Sequence, residues 1–350
     1  MKHNQIDHCI KAYNQMKKLL KASFVILVGL AVSTPGKAQV DPHFTQYYVY
    51  PAWLNPALTG IFDGDYRVAA IYRTQWGNIS SPFSTPGVAL DFNTSKNANF
   101  GVSVLNQTAG DGGYNYTTAY ANAAYTGLRF GANGNQRITF GMQIGMIQRR
   151  FNTSKLTFGD QWNPINGYNP SNTTADQFAA KSATSFDMGA GAFYYDGRPG
   201  QRANFFAGVG VSHLTRPKDD FSGKGDEKIP MRFTGHAGIR IKLTGTVSLT
   251  PNFLYLDQGT ATEKMIGAYS SFRITPVNDF MIGANYRFED AISPFAGFTH
   301  KGLVIGLSYD INTSELGKLA NGSNSFEISL SFIGRKKART PEQEFVCPRL

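Results

Sequence analysis

The residues best suited to chemistry in this sequence are few and scattered. Four histidines follow residue 38, namely His43, His213, His236 and His300. None stands at metal-ligand spacing from another His, Cys or carboxylate, and no segment indicates a Ser-His-Asp site. The turn Asp63-Gly64-Asp65 lacks the further ligands of a calcium loop. We therefore predict that the chain is not an enzyme and uses no metal or cofactor.

The segments that carry most of these side chains are predicted to be β-strands. In Met231–Leu243, apolar and small residues alternate with polar and basic ones. Successive side chains of a strand point to opposite sides, so this segment has one apolar and one polar face. His236 falls on the polar face with Arg232 and Arg240, which predicts that it lines an interior.

The same pattern recurs, and we predict fourteen strands. Each is close to the roughly 9–11 residues of a transmembrane strand. They lie near Tyr66–Trp76, Pro86–Asn93, Asn99–Gln107, Tyr116–Phe130, Gln136–Phe151, Thr184–Tyr195, Asn204–Leu214, Met231–Leu243, Thr246–Tyr255, Glu263–Ile274, Phe280–Phe288, Ser293–His300, Leu303–Asp310 and Ser325–Phe332. The predicted fold is all-β: a transmembrane antiparallel up-and-down β-barrel of about 14 strands, with a short N-terminal helical lead-in or plug.

Connection lengths favour a membrane barrel over a soluble β-sandwich or propeller. Every connection after an even-numbered strand is short, and the long ones, Asn152–Ala183, Thr215–Pro230 and Ile311–Asn324, all follow odd-numbered strands. Outer-membrane barrels have short periplasmic turns and long external loops, whereas a sandwich has no reason to keep this parity. The parity predicts that both chain ends lie in the periplasm.

The first 38 residues have the pattern of a secretory signal peptide. Lys17, Lys18 and Lys21 precede the apolar run Ala22–Val32, and small residues before Ala38 suit cleavage after it. The run is too short to span a bilayer as a helix. Met16 would begin a signal of ordinary length, so the true start could be there.

Charge and cysteine content exclude two classes of protein. The chain has 34 Lys+Arg and 24 Asp+Glu, of which residues 1–38 hold six and one, so the remainder carries 28 − 23 = +5. That modest charge gives no nucleic-acid signature. Only Cys347 remains after processing, so no internal disulfide scaffold is predicted.

Two segments flank the predicted barrel of residues 65–333. In the lead-in, residues 39–64, Asp41 could cap a helix that Pro51 should end; the segment could be a periplasmic strap or a plug in the lumen. After the barrel, residues 334–350 form a basic tail, which we predict to be periplasmic and either partner-binding or disordered.

Several stretches resemble the PorP/SprF family of outer-membrane proteins from the type IX secretion and gliding systems of Bacteroidetes. They are Asp41-Pro42-His43-Phe44-Thr45-Gln46-Tyr47, Leu54-Asn55-Pro56-Ala57-Leu58-Thr59-Gly60, Tyr72-Arg73-Thr74-Gln75-Trp76, Phe326-Glu327-Ile328-Ser329-Leu330-Ser331-Phe332 and Cys347-Pro348-Arg349-Leu350. These motifs bracket the mature chain. Thr45, where Ser is more often expected, and Leu58-Thr59 are mild departures.

The resemblance implies a non-enzymatic outer-membrane barrel that helps to secrete or attach a large surface adhesin. Its implied partners are that adhesin or cargo protein, periplasmic components of the type IX system and membrane lipid. The alternative is a passive porin or ligand-uptake channel. The candidate site residues, for partner contact or for plain barrel architecture, are Asn55, Pro56, Gly60, Arg73, Gln75 and Trp76. Of these, Arg73 and Gln75 are expected to face the lumen and to hydrogen-bond the lead-in.

Overall fold

The computed structural model describes residues 41–77, 82–94, 97–110, 113–152, 155–172, 174–175, 181–218, 228–314 and 324–335. The predicted signal peptide, residues 1–38, lies outside this part of the chain. So does the predicted tail beyond Arg335.

Among the described residues, fourteen antiparallel strands close into a barrel, and two short strands, β6 (Trp162–Asn163) and β7 (Gly167–Tyr168), form a separate hairpin. The barrel strands, in chain order, are β1 (Tyr66–Gln75), β2 (Phe83–Phe92), β3 (Ala98–Ala109), β4 (Tyr114–Phe130), β5 (Gln136–Phe151), β8 (Ser182–Asp196), β9 (Ala203–Ser212), β10 (Arg232–Lys242), β11 (Val247–Gln258), β12 (Ala261–Thr275), β13 (Asn278–Arg287), β14 (Ala291–His300), β15 (Leu303–Asn312) and β16 (Ser325–Gly334). Each barrel strand pairs with the barrel strands that precede and follow it, so that β5 pairs with β8, and β1 pairs with β16 from Tyr66↔Gly334 to Gln75↔Ser325. The predicted fold class is confirmed.

The alternating sequence pattern decides which side chains face outward. In β16, Phe326, Ile328, Leu330 and Phe332 are 40–48% exposed, whereas the residues between them, Ser325, Glu327, Ser329 and Ser331, are at most 6% exposed. A strand with an apolar outer face and a polar inner face is what a barrel in lipid requires. His236 and Arg232 lie on the inner face of β10, at 5% and 4% exposure.

The two ends of the barrel differ in their connections. We call the end with Tyr66 and Gly334 the short-turn end, and the opposite end the long-loop end. The connection from β5 to β8, at the long-loop end, carries a small hairpin of β6 (Trp162–Asn163) and β7 (Gly167–Tyr168). Parts of the long connections, residues 219–227 and 315–323, lie outside the described residues.

The lead-in runs inside the barrel and contains two short helical turns. Helix α1 is Pro51–Leu54, and a single 3-10 turn follows at Pro56–Leu58. The expected helix from Asp41 to Pro51 is wrong: Pro51 begins a helix instead of ending one. Its fixed φ and missing N–H suit the first turn of a helix. None of the helices in the described part of the chain has the length and apolarity to cross a membrane.

Candidate functional site: the lead-in inside the barrel

The candidate site is the contact between the lead-in and the inner barrel wall. Large apolar side chains of the lead-in are buried there, including Tyr47, Tyr48 and Val49, each at most 7% exposed. Tyr48 packs against Tyr269 and Phe295 of the wall, with ring centroids 6.2 and 6.1 Å away. The segment therefore occupies the lumen like a small internal core.

Arg73, on the inner face of β1, is the centre of a buried network that binds the start of the lead-in. Its guanidinium donates to Thr45 Oγ1 at 3.1 Å and to Glu327 Oε2 at 3.3 Å. Glu327 in turn accepts the backbone N–H groups of Thr45 and Gln46 at 3.0 and 2.7 Å. Arg73 and Glu327 are 1% and 0% exposed, so wall and lead-in share one desolvated set of charges.

Asp310 extends this network to two more strands. Its Oδ2 accepts from Arg73 Nη2 and from Arg287 Nη2, both at 2.6 Å, and its Oδ1 accepts from Thr45 Oγ1 at 2.8 Å. Arg73 Nη2 also lies 3.2 Å from His43 Nε2 in the lead-in. A buried carboxylate needs such multiple partners, because an unpaired charge in a low-dielectric interior is costly.

A second network holds the first described residue of the lead-in. Asp41 Oδ2 lies 2.7 Å from His213 Nε2 and accepts from Arg232 Nη1 at 3.0 Å. Asp41 Oδ1 accepts from Tyr116 OH at 3.1 Å. The other ring nitrogen of His213 lies 2.8 Å from Asp187 Oδ2. We call these five residues the Asp41 anchor.

The charges of the Asp41 anchor stabilise one another. Burial alone would lower the pKa of His213, but the carboxylates of Asp41 and Asp187 on its two nitrogens raise it to about 9. Burial would raise the pKa of Asp41, but His213 and Arg232 hold it well below its usual range. The anchor is thus an imidazolium between two carboxylates at neutral pH.

The middle of the lead-in is held by Asn55, which is fully buried. Its side-chain amide donates to the carbonyls of Ala192 and Val209 at 3.0 and 3.1 Å, and its Oδ1 accepts from Ala57 N at 2.9 Å. His236 Nε2 lies 3.3 Å from Asn55 Nδ2. Asn55 therefore caps the 3-10 turn and ties it to β8, β9 and β10.

Glycines on the inner face make room for this turn. A Cβ on Gly141 would meet backbone atoms of Pro56 and Ala57, and one on Gly191 would meet Asn55 Oδ1. The lead-in backbone can approach the wall closely only because these positions lack side chains. The inner-face glycines of β5 and β8 thus leave a recess in the wall that Asn55, Pro56 and Ala57 occupy.

Gly60 fixes the end of the lead-in nearest the short turns. It has φ +71°, a conformation that favours glycine. Its N–H donates to Asp91 Oδ2 at 2.8 Å, and Asp91 also pairs with Arg67 at 2.6 Å. Asn99 Nδ2 donates to the carbonyls of Thr59 and Gly60, both at 3.3 Å.

The structure brings four of the six candidate residues to this site and leaves two apart. Asn55, Pro56 and Gly60 belong to the lead-in, and Arg73 binds it. Gln75 and Trp76 lie at the long-loop end of β1, where Trp76 has φ 58° and packs edge-on against Phe83 at 5.0 Å. A role for any of the six in partner binding stays a prediction.

Sequence reasoning missed most of the charged partners at this site. They are Asp41, Asp187, His213, Arg232, Arg287, Asp310 and Glu327. A signal was available, since Arg232, Arg287 and Glu327 alternate with outward apolar residues. A charge on the inner face of a strand needs a partner in the lumen. Which partner it finds depends on strands far apart in sequence.

The arrangement is suited to holding a polypeptide segment. Within the described ranges, no group of three or more His, Cys, Asp or Glu side chains could hold a metal ion. Every charged group discussed above bonds either to the lead-in or to another wall residue that does. The site recognises backbone N–H groups, backbone carbonyls and short side chains of a chain lying in the lumen.

Comparisons with known proteins agree with this architecture. The sequence profile described as type IX secretion system membrane protein PorP/SprF matches residues 36–332. No curated protein matches the chain significantly.

Among solved structures, the toluene transporter TbuX of Ralstonia pickettii superposes with a TM-score of 0.51 at 11% identity, covering 80% of this chain and 92% of that one. The monoaromatic hydrocarbon channel CymD gives 0.48 at 10%, covering 86% and 95%. A FadL homologue of Pseudomonas aeruginosa gives 0.42 at 12%, covering 80% and 93%. At such identities the likeness to TbuX shows the barrel fold alone.

Proposed function

Because this chain is an outer-membrane barrel that belongs to the PorP/SprF family of type IX secretion system membrane proteins, we propose that it is non-enzymatic and assists secretion or surface attachment of a large adhesin or cargo protein. It acts through protein–protein contacts. Its partners are the cargo at the cell surface and type IX components in the periplasm.

The observation that carries the proposal is the lead-in buried in the lumen. A passive porin or ligand-uptake channel needs a continuous path through its barrel. Here Arg73, Asp310 and Glu327 use their charges to fasten a polypeptide across that path. Buried ion pairs persist only with excellent geometry and further hydrogen bonds, which supports a firmly held plug and a role other than passive transport.

The small hairpin at the long-loop end supports a protein partner there. Ile165 at its tip is 89% exposed, and Trp162 and Tyr168 beside it are 63% and 38% exposed. Trp and Tyr supply large contact areas at protein interfaces. In the proposed orientation this hairpin projects from the cell surface, where a cargo protein would meet it.

The start of the C-terminal tail supports a periplasmic contact at the other end. The Arg335 guanidinium pairs with the Asp63 carboxylate and donates to the Asp63 carbonyl at 3.2 Å. The tail therefore begins directly beside the exit of the lead-in. A periplasmic component that binds the tail would also meet residues 63–65.

The test is affinity purification of the tagged protein from native outer membrane in mild detergent, with mass spectrometry of co-purifying proteins. We expect a large surface adhesin or type IX components that are absent from a control barrel. Ile165→Asp should reduce recovery of the surface protein, because it replaces the exposed apolar tip with a charge. Asn166→Asp, which adds the same charge at the neighbouring position, is the matched control and should keep it.

Recovery of the barrel alone, repeated with cross-linking, would contradict the proposal. It would favour the channel alternative, which selective conductance in planar bilayers would then establish.

A further inference from the structure

The lead-in crosses the barrel from one end to the other. Its exit, at Thr59 and Gly60, lies against Asp91 and Asn99. Asp91 is the next-to-last residue of β2, and Asn99 is the second residue of β3. Both positions are at the short-turn end, so the lead-in leaves the lumen there to begin β1.

The start of the lead-in lies at the opposite end. Asp41 contacts Tyr116, the third residue of β4, and Arg232, the first residue of β10. It also contacts His213, which directly follows the last residue of β9. All three positions border connections of the long-loop end. Asp41 therefore lies at the end of the barrel opposite to the start of β1.

We propose that the mature amino terminus opens at the long-loop face, on the cell surface. The inference rests on the proposed function only for which end is external. The threading of the lumen is independent of it.

The chain that precedes Asp41 after cleavage is too short to return to the short-turn end. If cleavage follows Ala38, only Gln39 and Val40 precede Asp41. Two residues reach at most about 7 Å. A return to the short-turn end would have to cover the length of a ten-residue strand, roughly 33 Å. The amino terminus consequently stays at the end where Asp41 is fixed.

The Asp41 anchor prevents the segment from slipping back. Asp41 is 6% exposed and bonds to three different wall side chains. Arg232 adds a second hold, since its Nη2 donates to the Trp53 carbonyl at 2.7 Å and its guanidinium lies 4.3 Å from the Trp53 ring centroid. Moving Asp41 toward the short-turn end would take from Arg232 its carboxylate partner and from His213 one of its two carboxylate partners, and both cations are buried.

A cysteine-labelling experiment tests the inference on intact cells. Val40→Cys is made in a Cys347→Ser background and treated with a membrane-impermeant maleimide. Ile165→Cys in the same background reports the long-loop face, because Ile165 is 89% exposed. The native chain, with Cys347 in the predicted periplasmic tail, reports the other side.

We expect Val40→Cys and Ile165→Cys to react in intact cells, and Cys347 only after permeabilisation. Labelling of Ile165→Cys without Val40→Cys in intact cells would overturn the inference. Labelling of both only after permeabilisation would instead overturn the orientation in the proposed function, together with the cell-surface location.

An epitope inserted between Val40 and Asp41 gives a second measurement that does not depend on thiol reactivity. We expect the antibody to bind intact cells. Binding only after permeabilisation, with Ile165→Cys labelled on intact cells, would place the terminus in the periplasm and overturn the inference.

Discussion

At the scale of single residues, the interior is organised by charges that serve two chain segments at once. Arg73 bonds to Glu327 and Asp310 of the wall and to Thr45 of the lead-in. Glu327 bonds to the lead-in backbone as well as to Arg73. Removing one member of such a set leaves the others buried and unpaired, which costs more than the pair itself contributes.

Arg73→Gln should therefore destabilise the barrel by about 3–5 kcal/mol. Glu327 loses its cationic partner, whereas Asp310 keeps Arg287. The measurement is denaturant unfolding in detergent. In the double variant Arg73→Gln/Glu327→Gln, the loss should be smaller than the sum of the two single losses, because the orphaned carboxylate is gone. Strict additivity would show that the pair does not act as a unit.

Glycine positions give a prediction with an internal control. Gly141→Ala places a methyl group against the Pro56 and Ala57 backbone, which cannot move aside like a flexible side chain. We expect a loss of about 1–3 kcal/mol of unfolding free energy. Gly235→Ala, on the outer face of β10, meets only Tyr255 Cβ at 3.9 Å and should be nearly neutral. Equal effects at both sites would contradict a recess built for the lead-in.

At the scale of elements, the lead-in is held at three levels by different strands. The Asp41 anchor ties it near the long loops, Asn55 ties it in the middle, and Gly60 ties it near the short turns. Of these three, the Asp41 anchor contains the imidazolium of His213, whose pKa is about 9. As the pH rises, the contacts that hold the start of the lead-in should therefore weaken before those at Asn55 and Gly60.

His213 sets the direction of that pH dependence. Its pKa of about 9 in the folded protein lies above its ordinary value of 6.5. Its contribution, on the order of 3 kcal/mol, is therefore fully present below pH 6.5 and is lost as the pH rises through 9. We expect limited proteolysis near Asp41 to accelerate over this range. His213→Gln should remove the pH dependence, and a rise that persists in this variant would contradict the assignment.

The strands were far more predictable than the lead-in. Each of the fourteen predicted strands overlaps an observed one with ends within three residues, because the outer face must be apolar along its whole length. The lead-in has no such periodicity. Pro51 is compatible with ending or beginning a helix, and Asp41 with capping one or pairing with His213. Only the position of the wall decides between these.

At the scale of the whole molecule, the lead-in converts a barrel wide enough for a pore into a filled one. We expect low conductance for the wild-type protein in planar bilayers. Deletion of residues 41–58 should raise it severalfold, because Thr45, Asn55 and their neighbours no longer occupy the lumen. Heat-modifiable mobility on gels would establish that the deleted protein still forms a barrel. High conductance of the wild type would contradict a plugged lumen.

Local sequence patterns were enough to predict the number of barrel strands, their two faces and the alternation of short and long connections. These follow from local alternation, since lipid outside and a wet or filled interior act on every residue in turn. The family motifs likewise indicated an outer-membrane barrel of the type IX system. The motifs also drew attention to Asn55, Gly60 and Arg73, but not to the residues that these three contact.

The path of the lead-in, by contrast, depends on contacts between residues that are far apart in the sequence. The bond between Thr45 and Glu327 joins residues 282 positions apart, and that between Asp41 and His213 spans 172. No local pattern encodes such pairs, because closure of the barrel brings β1 beside β16 and sets the inner faces of all strands around one lumen. The buried charges then select the path of the lead-in, since each must find a partner away from water.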